Sequence, residues 1–250
     1  MHRFFAPSLD PGDETVILPR DEAEHLTRVL RLTSGDTVAV FDGRGHEFLA
    51  RVTSAGRRDV QLQILSRLEP PPEPAVALIL VQAVLKGEKM DDVVRDAVML
   101  GVAAIQPVVT KRSEATVAAL LRGARVERWR RVALASAKQS RRAVLPEIRR
   151  PLTFENALGE PVGTGLMFVE PGAEALPEAP GVESIGVLRR DPVPAQVTIW
   201  IGPEGGWDLS EQLAARARNI RLLSLGSRTL RADAVPVAAI SVLQFLWNDL

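Results

Sequence analysis

The chain has 250 residues, 46% of them hydrophobic, with 31 Lys and Arg balancing 31 Asp and Glu and no cysteine. That length and apolar content suffice for one large domain or two modest ones. The lack of cysteine excludes a disulfide framework and a thiolate metal site, and the three scattered histidines, His2, His25 and His46, argue against a His-rich zinc site, so no metal is expected.

The N-terminal stretch MHRFFAPSLD carries no apolar core of signal-peptide length. No apolar run reaches the roughly 18 residues of a membrane span, and a cytoplasmic location is the expectation. Short alternating runs follow: TVAVF (37–41), a turn at Asp42 and Gly43, EFLARVT (47–53) and VQLQIL (60–65). In the last of these Val60, Leu62 and Ile64 face one way and the glutamines the other, the period-2 pattern of half-buried antiparallel strands, and a small β-barrel is predicted. Pro70, Pro71, Pro72, Glu73 and Pro74 then form a stiff, extended break. The expected division is a barrel over residues 1–70, a linker over 71–74 and a second domain over 75–250.

Beyond the break, strand and helix alternate. VALILVQAV (76–84) predicts a buried strand, and Met90, Val93, Val94, Ala97 and Val98 fall on one face of a helix that Gly101 is placed to end. VAAIQPVV predicts the next strand. A basic helix follows, with Trp129, Val132, Ala133, Ser136 and Ala137 on one face and Arg128, Arg130, Arg131 and Lys138 elsewhere. Residues 111–150 hold twelve basic side chains against three acidic ones, a distribution attractive to a polyanion. GLMFV (165–169), VTIWI (197–201) and IRLLSL (220–225) are further buried strands, with helices over about 209–218 and from about 234 onward, whereas 170–196 shows no strong period. The alternation predicts an α/β layer with a mostly parallel sheet.

Two strand ends break into glycine. In IGPEGGWDLSE (201–211) the apolar run stops at Gly202-Pro203, and Gly205 and Gly206 let another molecule approach bare backbone. Asp208 and Glu211 have capping-box spacing for the next helix. No Gly-Lys-Ser/Thr follows and GxGxxG is absent, so a nucleoside triphosphate or NAD is poorly supported. LSLGSRTLRADA (223–234) repeats the grammar, and two such loops side by side can wall one pocket, with Arg228 and Arg231 at its mouth.

These two loops resemble the signature loops of the RsmE family, bacterial methyltransferases of the SPOUT superfamily that methylate N3 of a uridine in 16S ribosomal RNA. HRFF (2–5), HLTRVLRLTSGD (25–36), LKGEKMD (85–91), LGVAAIQPVVTKRS (100–113) and KQSRRAVLPEI (138–148) extend the resemblance along the chain. It implies a PUA-like RNA-binding barrel, a SPOUT domain with a deep trefoil knot, S-adenosylmethionine as cofactor, a 30S or 16S RNA substrate and a homodimer. The cofactor would lie against Ile201, Gly202, Pro203, Glu204, Gly205, Gly206, Leu225, Gly226, Arg228 and Leu230.

For the reaction the resemblance suggests Arg231 and Arg142 as donors to the uracil oxygens, Gln139 as a hydrogen-bonding guide for the base and Glu204 as proton acceptor. Arg3, Arg28, Arg31, Lys86, Arg112 and Arg142 are the expected RNA contacts. The chain departs from the family pattern twice: Met99-Leu100-Gly101 replaces Glu-Leu-Gly, and Leu230-Arg231-Ala232-Asp233-Ala234-Val235 replaces Leu-Arg-x-Glu-Thr-Ala. Ribose 2′-O-methylation of transfer RNA, or non-catalytic RNA binding in ribosome assembly, are the competing functions.

Overall fold

A computed structural model of the chain describes residues 1–56, 59–160, 163–172 and 181–249. The chain forms two compact units, residues 1–73 with 134–145 and residues 74–133 with 146–250.

The first unit is built on β1 (Arg3–Phe5), β2 (Thr15–Ile17), β3 (Thr37–Phe41), β4 (Glu47–Ala55) and β5 (Val60–Leu68), in the order β1-β3-β4-β5-β2. β1 runs parallel to β3 and the other pairings are antiparallel. The path stays open between β1 and β2, so the predicted barrel is a half-barrel. Its concave side is filled by Phe4, Leu26, Val38, Val40, Val60 and Leu62, all fully buried, with Ile64 packed against them, which is the face the alternation assigned. Phe4 is therefore core. A short helix, α1 (Arg20–Glu24), runs into one π-helical stretch over His25–Val29; the sequence pattern gave no sign of either.

The turn between β3 and β4 is held by one carboxylate. Asp42, whose side chain is fully buried, accepts hydrogen bonds from the Arg44 amide (2.7 Å) and Nε (3.1 Å) and from the His46 amide (3.1 Å), and lies 2.8 Å from His46 Nδ1. Burial opposes its ionisation, but the His46 and Arg44 bonds outweigh it and hold the carboxyl below its usual range. A depressed carboxylate adds stability above its unfolded pKa, about 4, and loses it as pH falls through the folded value. Asp42→Asn is expected to cost about 1–3 kcal/mol at pH 7. That difference should narrow below about pH 4 in urea titrations; an equal difference at pH 7 and pH 3 would show that the charge contributes nothing.

The second unit holds β6 (Ala77–Ala83), α2 (Lys89–Met99), β7 (Ala104–Val109), α3 (Val117–Arg122), the start of α4 (Arg125–Gln139), β8 (Glu147–Ile148), β9 (Leu152–Thr153), α5 (Phe154–Gly159), β10 (Thr164–Phe168), β11 (Glu183–Ser184), β12 (Gln196–Ile201), α6 (Leu209–Ala217), β13 (Arg221–Ser224) and α7 (Val235–Leu246). The strands make an eight-stranded sheet in the order β11-β13-β10-β12-β6-β7-β8, with β9 also on β7, and every pairing is parallel. The predicted α/β class with a parallel sheet is the class observed.

β6, β10 and β12 are apolar almost throughout because helices or loops cover both faces of a parallel sheet. On one face Val81, Met167, Trp200 and Leu222 pack with Trp207 and with Phe154 of α5. α2 buries Met90, Val93, Val94, Ala97 and Val98, the predicted face, and Gly101 follows it at φ +87°, where a Cβ would sit 2.5 Å from Pro74 Cγ. In the segment 170–196, a stretch read as irregular, β11 joins the sheet edge and a 3-10 turn spans Ile185–Arg190; residues 173–180 lie outside the described residues. Among the described residues no helix is long and apolar enough to cross a membrane.

Candidate active site

β13, β10 and β12 are neighbours and run the same way, so their carboxyl ends open on one edge of the sheet. The loops leaving them, Phe168–Pro171, Ile201–Trp207 and residues from Leu225 to Val235, line one pocket of about 340 Å³. This lies at the low end of the roughly 300–1,000 Å³ typical of small-ligand sites.

The middle loop is shaped by what its glycines permit. A Cβ on Gly202 would stand 3.1 Å from Trp207 Nε1, so the bare position lets the indole fold back over the strand end. There Trp207 is buried and its Nε1 donates to the Phe168 carbonyl at 2.9 Å, tying the β12 loop to the end of β10. Gly206 adopts φ +69°, and a Cβ there would lie 2.3 Å from a Glu170 carboxylate oxygen. Its amide donates to the Pro203 carbonyl (2.9 Å), closing the turn. Asp208 then caps α6, accepting from the Ser210 amide while Glu211 Oε2 accepts from the Asp208 amide at 2.9 Å, the predicted capping box. In the β13 loop Gly226 takes φ +114° with nothing within 4 Å of a Cβ, so backbone conformation and not space calls for glycine.

Neighbouring strand-end loops grip this turn from both sides. After β7, Arg112 Nη1 donates to the Gly205 carbonyl at 2.7 Å, and the Lys111 amide donates to Glu211 Oε1 at 2.9 Å. After β6, the Lys86 amide and the Lys89 ammonium both donate to Glu204 Oε1, at 3.1 and 3.0 Å. Burial disfavours the charged form of Glu204, yet the bonds from backbone amides and from Lys89 prevail and hold its carboxyl below the ordinary range. A carboxylate so stabilised is a poor base at neutral pH. Glu204 thus reads as an anchor, which corrects the expectation that it accepts a proton.

The structure brings Ile201 to Gly206, Leu225, Arg228 and Leu230 to the same pocket, with Gly226 in the same loop. Arg231 stands between the lining residues Leu230 and Ala232, mostly exposed, with Nη2 2.9 Å from Asp233. Gln139 is half-buried and Arg142 is 6% exposed; both are counted with the first unit.

Two of the expected RNA contacts are engaged inside the first unit. Arg3 pairs with buried Glu47 (Nε to Oε1 2.7 Å), donates to the carbonyls of Ala137, Lys138 and Arg142, and lies over the Phe41 ring. Arg142 Nε donates to both carboxylate oxygens of Glu73 at 3.1 Å. Their guanidiniums neutralise carboxylates and satisfy carbonyls, so the expectation that they touch RNA is corrected to a structural role, and Arg142 is not a donor to substrate. Arg28 and Arg31 are exposed, Arg28 3.7 Å from Glu24; Lys86 also pairs with Glu114 at 2.6 Å.

Sequence reasoning missed one wall. Phe168 to Pro171, together with Thr229, Ala232 and Val235, complete the lining. The available signal was FVEPG, an apolar run breaking into Glu-Pro-Gly like the other two strand ends.

Two family models match the chain: one described as an RNA methyltransferase domain over residues 71–244, and one described as an RNA methyltransferase PUA domain over residues 18–65. A protein of Synechocystis named ribosomal RNA small subunit methyltransferase E is 32% identical over 239 residues, covering 94% of this chain and 74% of the relative. Among solved structures, a putative methyltransferase of Legionella pneumophila in complex with the bound cofactor S-adenosylmethionine superposes with a TM-score of 0.84 at 28% identity, over 97% of this chain and 96% of that one. A ribosomal RNA small subunit methyltransferase E of Neisseria gonorrhoeae bound to S-adenosylmethionine gives 0.83 at 28% identity, over 99% and 98%. Sequence match along nearly the whole chain, and a fold shared with enzymes of the same name, place this protein in the RNA methyltransferase family of the ribosomal RNA small subunit methyltransferases E.

Proposed function

We propose that this chain is an S-adenosylmethionine-dependent methyltransferase acting on N3 of a uridine in 16S ribosomal RNA of the small subunit. The observation that carries it is the glycine turn, whose bare backbone faces a pocket of small-ligand size, in a chain that superposes on relatives solved with this cofactor. The residues present fit such a group. The cradle left open at Gly202, Gly205 and Gly206 presents main-chain donors and acceptors, and Ile201, Leu225 and Leu230 add apolar surface for flat or aliphatic portions.

S-adenosylmethionine supplies, when bound, a methyl group already activated on a positively charged sulfur, so the chemistry asks for no metal. The protein's tasks are to orient the uracil in line with that methyl and to stabilise the charge left on O2 and O4 once N3 loses its proton. Arg231 is placed for the second task, beside two lining residues, with Asp233 holding it at one edge. Residues 1–70 serve as the PUA-like RNA-binding domain, 71–74 as the linker and 75–250 as the SPOUT domain with its trefoil knot. The PUA family match within residues 18–65 supports the first of these. Arg28 and Arg31, both exposed, remain candidates to meet RNA phosphates. Met99 and Phe245, exposed on the mutually packed helices α2 and α7, offer apolar surface to a second copy, in keeping with a cytoplasmic homodimer.

The test incubates the protein with labelled cofactor and, separately, naked ribosomal RNA, 30S particles and transfer RNA, followed by mass spectrometry of the nucleosides. 3-Methyluridine from 16S RNA is the expected product. A 2′-O-methyl product would overturn the N3 assignment, and RNA binding without transfer would make the protein an assembly factor. In the same assay Arg231→Ala is expected to lower kcat by about ten- to a hundredfold, the loss of one charged hydrogen bond.

A further inference from the structure

Helix α2 opens with a lysine, at the end of a helix where the macrodipole disfavours positive charge. Its N-cap, Glu88, makes no side-chain capping bond that would offset this. The local cost is answered elsewhere, because the Lys89 ammonium reaches Glu204, 115 residues further along the chain, at 3.0 Å. Between Gly202 and Gly206 only Pro203 and Glu204 have side chains, and of the two only Glu204 can be tethered by a polar bond. The pair is partly sheltered, with side chains 37% and 22% exposed. Asp233, on the β13 loop that forms another wall of the pocket, also lies within the field of Lys89.

We propose that Lys89 is a positioning residue for the cofactor pocket: by holding Glu204 against the loop after β6, it fixes the glycine turn in its binding conformation. The inference rests on the reading of this pocket as the cofactor site. Arg112 holds the turn from the β7 side through the Gly205 carbonyl at 2.7 Å, so loss of Lys89 loosens one edge of the turn while the other stays fixed. A turn freed at one edge samples conformations that cannot bind, and apparent affinity falls by the fraction of time it spends in them. Such an effect raises the KM for cofactor and leaves the chemical step alone. A lysine serving instead as a phosphate contact would raise the KM for RNA and flatten its salt dependence.

The experiment uses the full chain with Lys89→Ala and Lys89→Arg. Hydrogen exchange of the cofactor-free protein over residues 201–207, where the Gly206 amide reports closure of the turn, is expected to be about tenfold faster in Lys89→Ala and near wild type in Lys89→Arg. Steady-state kinetics should show the KM for S-adenosylmethionine raised about tenfold by Lys89→Ala, with kcat and the KM for RNA within about twofold and recovery in Lys89→Arg. Unchanged exchange, or a rise confined to the KM for RNA, overturns the proposal. If the wild-type protein takes up no cofactor, the cofactor reading fails, while the exchange measurement still decides whether Lys89 holds the turn.

Discussion

Gly206→Val is expected to weaken S-adenosylmethionine binding by on the order of a hundredfold while the protein stays folded. Two effects combine. At φ +69° a β-branched residue occupies a region that costs roughly 1–3 kcal/mol. The new Cβ would also fall 2.3 Å from one Glu170 carboxylate oxygen and 2.5 Å from the other. Glu170 is exposed and can swing away, but it lines the pocket, so relief of the clash comes at the expense of the cavity. Neither effect touches the core, and the melting temperature should move only a few degrees.

Gly205→Ala is the matched control. Its φ is not in the positive range, and its Cβ would meet Arg112 Cβ at 3.4 Å, an ordinary contact, so binding within a few-fold of wild type is expected. Calorimetry on both variants decides the matter; Gly206→Val binding as tightly as Gly205→Ala would remove the turn from the cofactor site.

Arg3→Ala should destabilise the first unit by about 3–5 kcal/mol, because it leaves a buried carboxylate without its partner. Arg3 and Glu47 have side chains only 10% and 8% exposed, and the same guanidinium also serves the carbonyls of Ala137, Lys138 and Arg142. The double variant Arg3→Met with Glu47→Met should recover part of the loss, since it removes both charges together. Chemical denaturation reads this directly. An unchanged midpoint with weakened RNA binding would restore Arg3 to the RNA-contacting surface.

What could be read in advance was whatever leaves a local trace. Met90, Val93, Val94, Ala97 and Val98 repeat at helical spacing, and Val60, Leu62 and Ile64 alternate, so the buried faces of α2 and β5 could be read from a few neighbouring letters. The Asp208–Glu211 capping box spans four residues and was equally visible. The roles of Arg3 and Arg142 were not, because their carboxylate partners lie 44 and 69 residues away and an isolated arginine looks the same whether it pairs or faces solvent. Glu204 illustrates the same limit: its glycine-rich setting advertised a site, but its anchoring by Lys86 and Lys89 depends on β6 and β12 lying side by side.

The two departures from the family pattern also acquire a physical content. Ala234 is the N-cap of α7 and makes no side-chain capping bond, where a threonine hydroxyl would serve a free amide. Asp233 keeps its pairing with Arg231 despite being one methylene shorter than Glu.

Residues 134–145 belong to the first unit, where Lys138 pairs with Glu22, Arg142 with Glu73, and Val144 bridges to Gly43. On the ribosome, then, the leading seventy residues must wait for a late-arriving strip before their charges are matched, and by that time two strands of the other unit have already emerged. A gene fragment ending at the proline cluster would encode a piece with Glu22 and Glu73 stripped of their counter-ions, so excising the front portion for study calls for grafting the strip back on.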